Sequence, residues 1–168
     1  SEKLSTGSIA GVSNDVKPNN HTRVIDATSR YVIPGLIDCH VHLREPGLEY
    51  KETIETGSRA AAVGGYTTLI CEPNTIPPID SLEMVESFME RVNQKGVVNI
   101  YTKACITKGL LGEELTDIAK LATDKRVRAL SDDGNPVFYE SLMKRACELA
   151  AQNKLIIKIQ DSLIADAS

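Results

Sequence analysis

The sequence predicts an α/β fold in which short parallel strands alternate with helices. Short apolar runs recur from Val24 onward, and segments with apolar residues at helical spacing separate them. The predicted strands are 36–43, 67–71, 97–106, 127–130 and 155–159, and the predicted helices are 53–63, 82–92, 113–122 and 141–151. Strands joined by single helices pair in parallel. This pattern fits an open doubly wound sheet, and it equally fits the first five strands of a (β/α)₈ barrel, which normally needs about 250 residues.

The helices are predicted from their apolar faces and from the residues at their ends. Three alanines precede Gly64-Gly65, a typical helix stop. Asp80 or Ser81 is positioned to cap the second helix. The apolar faces consist of Leu82, Val85, Phe88, Met89 and Val92 in the second helix, of Leu115, Ile118, Ala119 and Ala122 in the third, and of Leu142, Ala146 and Leu149 in the fourth.

Composition narrows the class of protein. Of the 168 residues, 42% are hydrophobic and 25% charged, as in soluble globular domains. The net charge of −4, without tryptophan or a basic block, argues against nucleic acid as a partner. No run reaches the roughly 18 apolar residues of a membrane span, and the polar N-terminus lacks a signal core, so we expect a cytoplasmic protein. The four cysteines are expected to be buried free thiols.

The chemistry is concentrated in the motif Asp-Cys-His-Val-His-Leu-Arg. Residues two apart on a strand point to the same face, so His40 and His42 should project side by side, with Cys39 and Val41 facing the other way. Two neutral imidazoles on one face suit a divalent metal such as zinc. Their position at the carboxyl end of an apolar strand favours a metal site over two unrelated surface histidines.

Other candidate residues also follow the ends of predicted strands. Arg44 comes two residues after His42 and should lie on the same face of that strand, where it could bind a carboxylate through two parallel hydrogen bonds or pair with a neighbouring glutamate. Asn74 could contact a ligand at the same edge, although Pro-Asn is also ordinary turn chemistry. A carboxylate from Asp132 or Asp133 could complete a two-histidine metal site, or the pair could form a turn and helix cap.

Several motifs together resemble dihydroorotases of the amidohydrolase superfamily. They are His-x-His-x-Arg-Glu-Pro-Gly, the following Lys-Glu-Thr-Ile-Glu-Thr-Gly, Gly-Gly-Tyr-Thr-Thr, Pro-Asn-Thr and Ser-Asp-Asp-Gly, and the resemblance as a whole covers roughly residues 24–151. The resemblance implies an incomplete (β/α)₈ TIM barrel of about five strands over residues 31–168. It also implies that residues 1–30 are a polar segment that is the remnant of a β-sandwich.

The resemblance also implies roles for individual residues. Carried over one by one, the metal ligands are His40, His42 and Asp133, and the residues that bind the substrate carboxylate are Arg44 and Asn74. The implied reaction is the reversible opening of dihydroorotate to N-carbamoyl-L-aspartate in pyrimidine biosynthesis. A metal supplies the polarisation of the ring carbonyl and the activation of water.

The chain departs from the family at the fifth strand, where a metal-binding histidine is expected. Residues 155–162 contain none, and the one histidine besides His40 and His42 is His21. We therefore expect one zinc ion at most and assign no catalytic base. Two interpretations stay open: a truncated or incomplete dihydroorotase, and a non-catalytic dihydroorotase-like protein that acts through a partner. A homo-oligomer or association with a pyrimidine-pathway enzyme would fit either.

Overall fold

The computed structural model describes residue 17 and residues 19–159. Its contacts divide the chain into two compact units, 1–34 and 35–168, and the described helices and strands all lie in the second. The strands are β1 (Leu36–Val41), β2 (Tyr66–Cys71), β3 (Asn99–Ala104), β4 (Val127–Leu130) and β5 (Ile156–Ile157), and the helices are α1 (Ile54–Val63), α2 (Leu82–Lys95), α3 (Ile118–Leu121) and α4 (Glu140–Gln152), with a short 3₁₀ helix at Lys108–Leu110.

The order of the strands decides between the two predicted architectures. The five strands pair in parallel, and their order in the sheet is their order in the chain. A doubly wound sheet reverses its strand order at a switch point, whereas a barrel adds each strand beside the one before it. The sheet is therefore a curled arc of a (β/α)₈ barrel, and the incomplete barrel expected from the sequence is confirmed.

The first two helices begin at side chains that cap them. Thr53 accepts a hydrogen bond from the Thr56 backbone at 3.1 Å and forms a reciprocal capping box with it. Ser81 accepts from the Met84 backbone at 3.4 Å, so Ser81 and not Asp80 is the cap of α2. The predicted stop at Gly64 ends α1. These caps fix where each helix leaves the preceding loop.

Apolar side chains of the helices and strands form one core cluster. Four of the five residues of the predicted face of α2 are buried, namely Val85, Phe88, Met89 and Val92, and Leu82 at the start of the helix is half-buried. Fully burying a side chain of this size contributes about 1.5–3 kcal/mol before entropic costs. The core also contains Leu43, Ile54, Leu69, Cys71, Ile79, Ile100, Ala104, Ile106, Ile118, Leu121, Val127, Leu130, Ala146 and Ala150.

The third helix is shorter than the predicted span of 113–122. It covers only Ile118–Leu121, because the residues before it pair with the segment that follows β3. Leu115 forms an antiparallel bridge with Thr107, and the Thr116 backbone donates to the Ile106 carbonyl at 3.0 Å. Apolar spacing alone could not distinguish this extended pairing from a helical turn.

Within the described residues, β1 and β5 each have a neighbouring strand on only one side. Ile37 on β1 and Ile156 on β5 are 61% and 70% exposed. The same edge position leaves Cys39 exposed, and Cys147 on α4 is exposed as well. The expectation of four buried thiols is therefore wrong for these two and correct for Cys71 and Cys105.

The predicted N-terminal β-sandwich remnant falls largely outside the described residues, which omit residues 1–16 and 18. Residues 19–35 contain turns and no strand, and the remnant stays a prediction. No helix in the described part of the chain is long and apolar enough to cross a membrane.

Candidate metal centre

Strands β1 and β4 bring His40, His42 and Asp133 together at the carboxyl end of the sheet. His40 lies on β1, His42 directly follows that strand, and Asp133 lies in the turn after β4. The two Nε2 atoms are 3.2 Å apart, His42 Nε2 is 3.3 Å from Asp133 Oδ2, and His40 Nε2 is 3.7 Å from Asp133 Oδ1. The predicted proximity of these side chains is confirmed.

The spacing of these atoms suits a tetrahedral metal ion. Zinc binds imidazole nitrogen and carboxylate oxygen at about 2.0–2.2 Å, so two ligand atoms of a tetrahedral site lie about 3.4 Å apart. The three measured separations lie close to that value. Two nitrogens and one carboxylate oxygen are also a donor set that zinc accepts. The residues present therefore fit a divalent metal ion such as zinc.

Asn74 determines how His42 presents its ring. The Asn74 Nδ2 group donates to Asp133 Oδ2 at 3.1 Å, and Asn74 Oδ1 lies 3.0 Å from His42 Nδ1. A carboxylate only accepts hydrogen bonds, so the amide group of Asn74 must face Asp133 and its carbonyl oxygen must face His42. His42 therefore donates through Nδ1, which leaves the Nε2 lone pair directed at the centre. The predicted role of Asn74 in binding a substrate carboxylate stays a prediction.

The two neighbouring aspartates have different surroundings. Asp132 Oδ1 accepts from the backbone of Ile106 at 2.7 Å and of Thr107 at 3.2 Å, and Oδ2 accepts from the Thr107 hydroxyl. Burial raises the pKa of Asp132, and the hydrogen bonds from Thr107 oppose that shift. The chain then turns at Gly134, whose φ of 82° favours glycine. Asp132 thus fixes the loop after β3, while Asp133 points to the histidines.

Arg44 lies outside the strand, although the sequence predicted that it would continue the alternation of β1. Its φ of 60° is in the left-handed region. Its neighbours are engaged elsewhere: Glu45 pairs with Lys95, and Glu49 accepts from the Gly47 backbone at 2.9 Å. Within residues 17 and 19–159, no hydrogen bond or ion pair engages the Arg44 guanidinium. A role in binding a carboxylate stays a prediction.

Three charged residues beside the centre were missed in the sequence. Glu72 is buried just after β2, and its Oε1 accepts hydrogen bonds from Lys103 and, at 3.0 Å, from Lys158. Lys103 also donates to the Cys39 carbonyl at 2.7 Å. Glu72 Oε2 is buried without a hydrogen-bond partner. A charged residue inside or just after an apolar strand is the signal that could have identified all three.

The comparisons with known proteins assign the family. The family model described as dihydro-orotase-like matches residues 29–167. This chain belongs to the dihydroorotase-like family. A dihydroorotase from Thermoanaerobacter sp. (strain X514) is 54% identical over 122 residues, which are 73% of this chain and 28% of that protein. A dihydroorotase from Solibacter usitatus is 47% identical over 151 residues, which are 90% of this chain and 35% of that protein.

Solved structures agree with the barrel assignment. An L-hydantoinase from Arthrobacter aurescens matches with a TM-score of 0.76 and 22% identity, over 90% of this chain and 34% of its own. A Saccharomyces cerevisiae dihydroorotase in complex with 5-fluoroorotic acid matches with a TM-score of 0.62 and 18% identity, over 82% of this chain and 39% of its own. At these identities the likeness shows the fold. The chain spans about a third of the length of the curated dihydroorotases it matches.

The dihydroorotase resemblance predicts a histidine ligand after β5, and the structure places Lys158 there. Lys158 follows Ile157 directly, and its Nζ lies 2.7 Å from His40 Nδ1 and 3.2 Å from Asp133 Oδ1. The ammonium group therefore contacts two of the three candidate ligands. The absence of a histidine from residues 155–162 was evident in the sequence, but the contact of the lysine with the centre was not.

Proposed function

We propose that this chain carries the first part of a dihydroorotase-type active site and binds one zinc ion through His40, His42 and Asp133. One observation carries the metal assignment. His40 Nε2, His42 Nε2 and the Asp133 carboxylate converge: the two nitrogens are 3.2 Å apart, and they lie 3.7 Å and 3.3 Å from the two Asp133 oxygens. Separations of this size are those of neighbouring ligand atoms around one tetrahedral ion. A zinc ion bound to all three residues would also balance the Asp133 charge.

The other residues of the site would position the ligands and the substrate. When bound, zinc would polarise the carbonyl of a cyclic amide and lower the pKa of a water molecule. Asn74 would hold the His42 ring and the Asp133 carboxylate in position through its hydrogen bonds with both residues. Arg44 would bind the carboxylate of dihydroorotate or N-carbamoyl-L-aspartate through paired hydrogen bonds. We assign no catalytic base to this chain.

The partners we propose follow from the same assignment. The substrate is a small anionic molecule, and the net charge of −4 argues against nucleic acid. Within residues 19–159, β1 and β5 each lack a neighbouring strand on one side, and this favours pairing with a second copy or with another enzyme of pyrimidine biosynthesis, because unpaired strand edges associate readily. We propose a cytoplasmic location without a membrane partner.

A second candidate function is supported by Lys158. Its ammonium group contacts His40 and Asp133, which a catalytic metal would need. A dihydroorotase-like protein that has lost turnover and acts through association would retain the fold and much of the site. Catalytic turnover separates this alternative from the first.

The experiment measures zinc content and the ring opening of dihydroorotate on the same preparations. The variants are His40→Ala and His42→Ala, and the matched control is His21→Ala, since His21 is exposed and lies in the other compact unit. We expect one zinc per chain in the parent and in the control, and none in the other two variants. Turnover that follows the zinc supports the enzymatic proposal. Zinc without turnover supports the non-catalytic alternative, and equal zinc in all variants contradicts the site.

A further inference from the structure

We propose that Lys158 is an internal cation that competes with the metal for His40 and Asp133. The inference rests on the proposed metal centre. Lys158 Nζ lies 2.7 Å from His40 Nδ1, 3.2 Å from Asp133 Oδ1 and 3.0 Å from Glu72 Oε1. Its side chain is 25% exposed, so water reaches part of it.

Hydrogen-bond chemistry gives these contacts a direction. A lysine ammonium group only donates, so His40 must accept through Nδ1 and carry its proton on Nε2. That proton points to His42 Nε2, 3.2 Å away, which accepts it. His42 donates through Nδ1 to Asn74, and Asn74 donates to Asp133, which also accepts from Lys158. The five groups form a closed hydrogen-bonded ring.

The ring and the metal use the same atoms. While Lys158 donates to His40 Nδ1, the proton on His40 Nε2 takes the place of the lone pair that would bind zinc. Zinc binding therefore requires Lys158 to leave His40 and the ring proton of His40 to move from Nε2 to Nδ1 or to be lost. The positive charge of Lys158 also opposes a second cation near Asp133.

Two features make the exchange feasible. When Lys158 leaves, Glu72 keeps its contact with Lys103, which is buried and contacts neither histidine ring. Asp133 exchanges one cation for another and keeps its hydrogen bond from Asn74. No buried carboxylate then loses its counter-charge, so the cost falls on the contacts of Lys158 alone. Lys158 is thus placed to oppose metal binding.

The test measures zinc affinity by competition with a chromophoric chelator. The variants are Lys158→Met, Lys158→Arg, which keeps the charge, and Lys154→Met, a control in the exposed turn before β5. We expect Lys158→Met to bind zinc about tenfold or more tightly, the factor for removing one hydrogen bond to a charged group. We expect the other two variants to stay close to the parent, and His40→Ala to cancel the gain.

The outcomes separate this inference from the proposed function. Equal zinc affinity in the parent and in Lys158→Met overturns the competition and leaves the metal centre intact. No zinc binding by any variant overturns both. A second measurement needs no substitution: ¹⁵N spectra of histidine-labelled parent chain without metal should show His40 protonated on Nε2 and His42 on Nδ1. The opposite tautomer at His40 overturns the ring, even if Lys158→Met fails to fold.

Discussion

Replacing each of the two adjacent aspartates by alanine should separate stability from metal binding. Asp132→Ala should lower the free energy of unfolding and leave the ligand atoms of the centre in place. Asp133→Ala should abolish zinc binding at a much smaller cost in stability. The residues are neighbours in sequence and similarly buried, so each variant is the matched control for the other.

The magnitude for Asp132 follows from its contacts. Its truncation removes the acceptor from the backbone N–H groups of Ile106 and Thr107, which are buried. Each buried donor left without a partner costs about 1–3 kcal/mol. Burial raises the pKa of Asp132 because it disfavours the charged carboxylate, so removing this carboxylate offsets part of the loss in stability. We therefore expect a net loss of about 2–4 kcal/mol, a large share of the roughly 5–15 kcal/mol typical of a domain.

The loss for Asp133 should be about 1 kcal/mol, because Lys158 keeps Glu72 as a partner. Urea unfolding followed by circular dichroism gives both free energies, and chelator competition gives the zinc affinities. An unchanged unfolding midpoint for Asp132→Ala would refute the structural role of Asp132. A larger destabilisation by Asp133→Ala than by Asp132→Ala would refute the division of roles.

Three further predictions test the surroundings of the centre and the fold. Asn74→Ala should weaken zinc binding about 10–100-fold, because it removes a hydrogen-bond partner of two metal ligands. Asn93→Ala, an exposed control on α2, should leave the zinc affinity unchanged. Equal zinc affinities in the two variants would exclude the role of Asn74. Ser81→Ala should cost about 1 kcal/mol in urea unfolding by removing the cap of α2, and an unchanged midpoint would contradict it. At mildly alkaline pH, iodoacetamide should label Cys39 and Cys147 first, because burial raises the pKa of the Cys71 and Cys105 thiols and shields them from the reagent. Early labelling of Cys71 in mass spectra would contradict the buried core.

Much of the architecture was predictable because it depends on local patterns. The apolar face of α2 and the caps at Thr53 and Ser81 are set by residues a few positions apart. The extent of the third helix was predicted wrongly because it depends on contacts that are not local. The pairing of Leu115 with Thr107 joins two segments whose proximity depends on the turn after β3, and apolar spacing does not encode that turn.

The site was predictable to the extent that strand ends determine it. His40, His42 and Asp133 come together because parallel strands end at the same edge of the sheet. The sequence could not show that Asn74 bridges His42 and Asp133, because that contact depends on loop geometry. Lys158 was overlooked because a lysine in a short apolar strand is usually assumed to point to solvent.

X-ray absorption at the zinc edge of the zinc-loaded chain tests the central claim most directly. Binding by His40, His42 and Asp133 predicts two imidazole ligands and oxygen ligands at about 2.0–2.2 Å, and it predicts that His42→Ala, treated in the same way, gives no zinc signal. Sulfur at about 2.3 Å would instead place the zinc on a cysteine, for example the exposed Cys39. Sulfur in the coordination shell, or a spectrum without imidazole, would contradict the metal centre described for this chain.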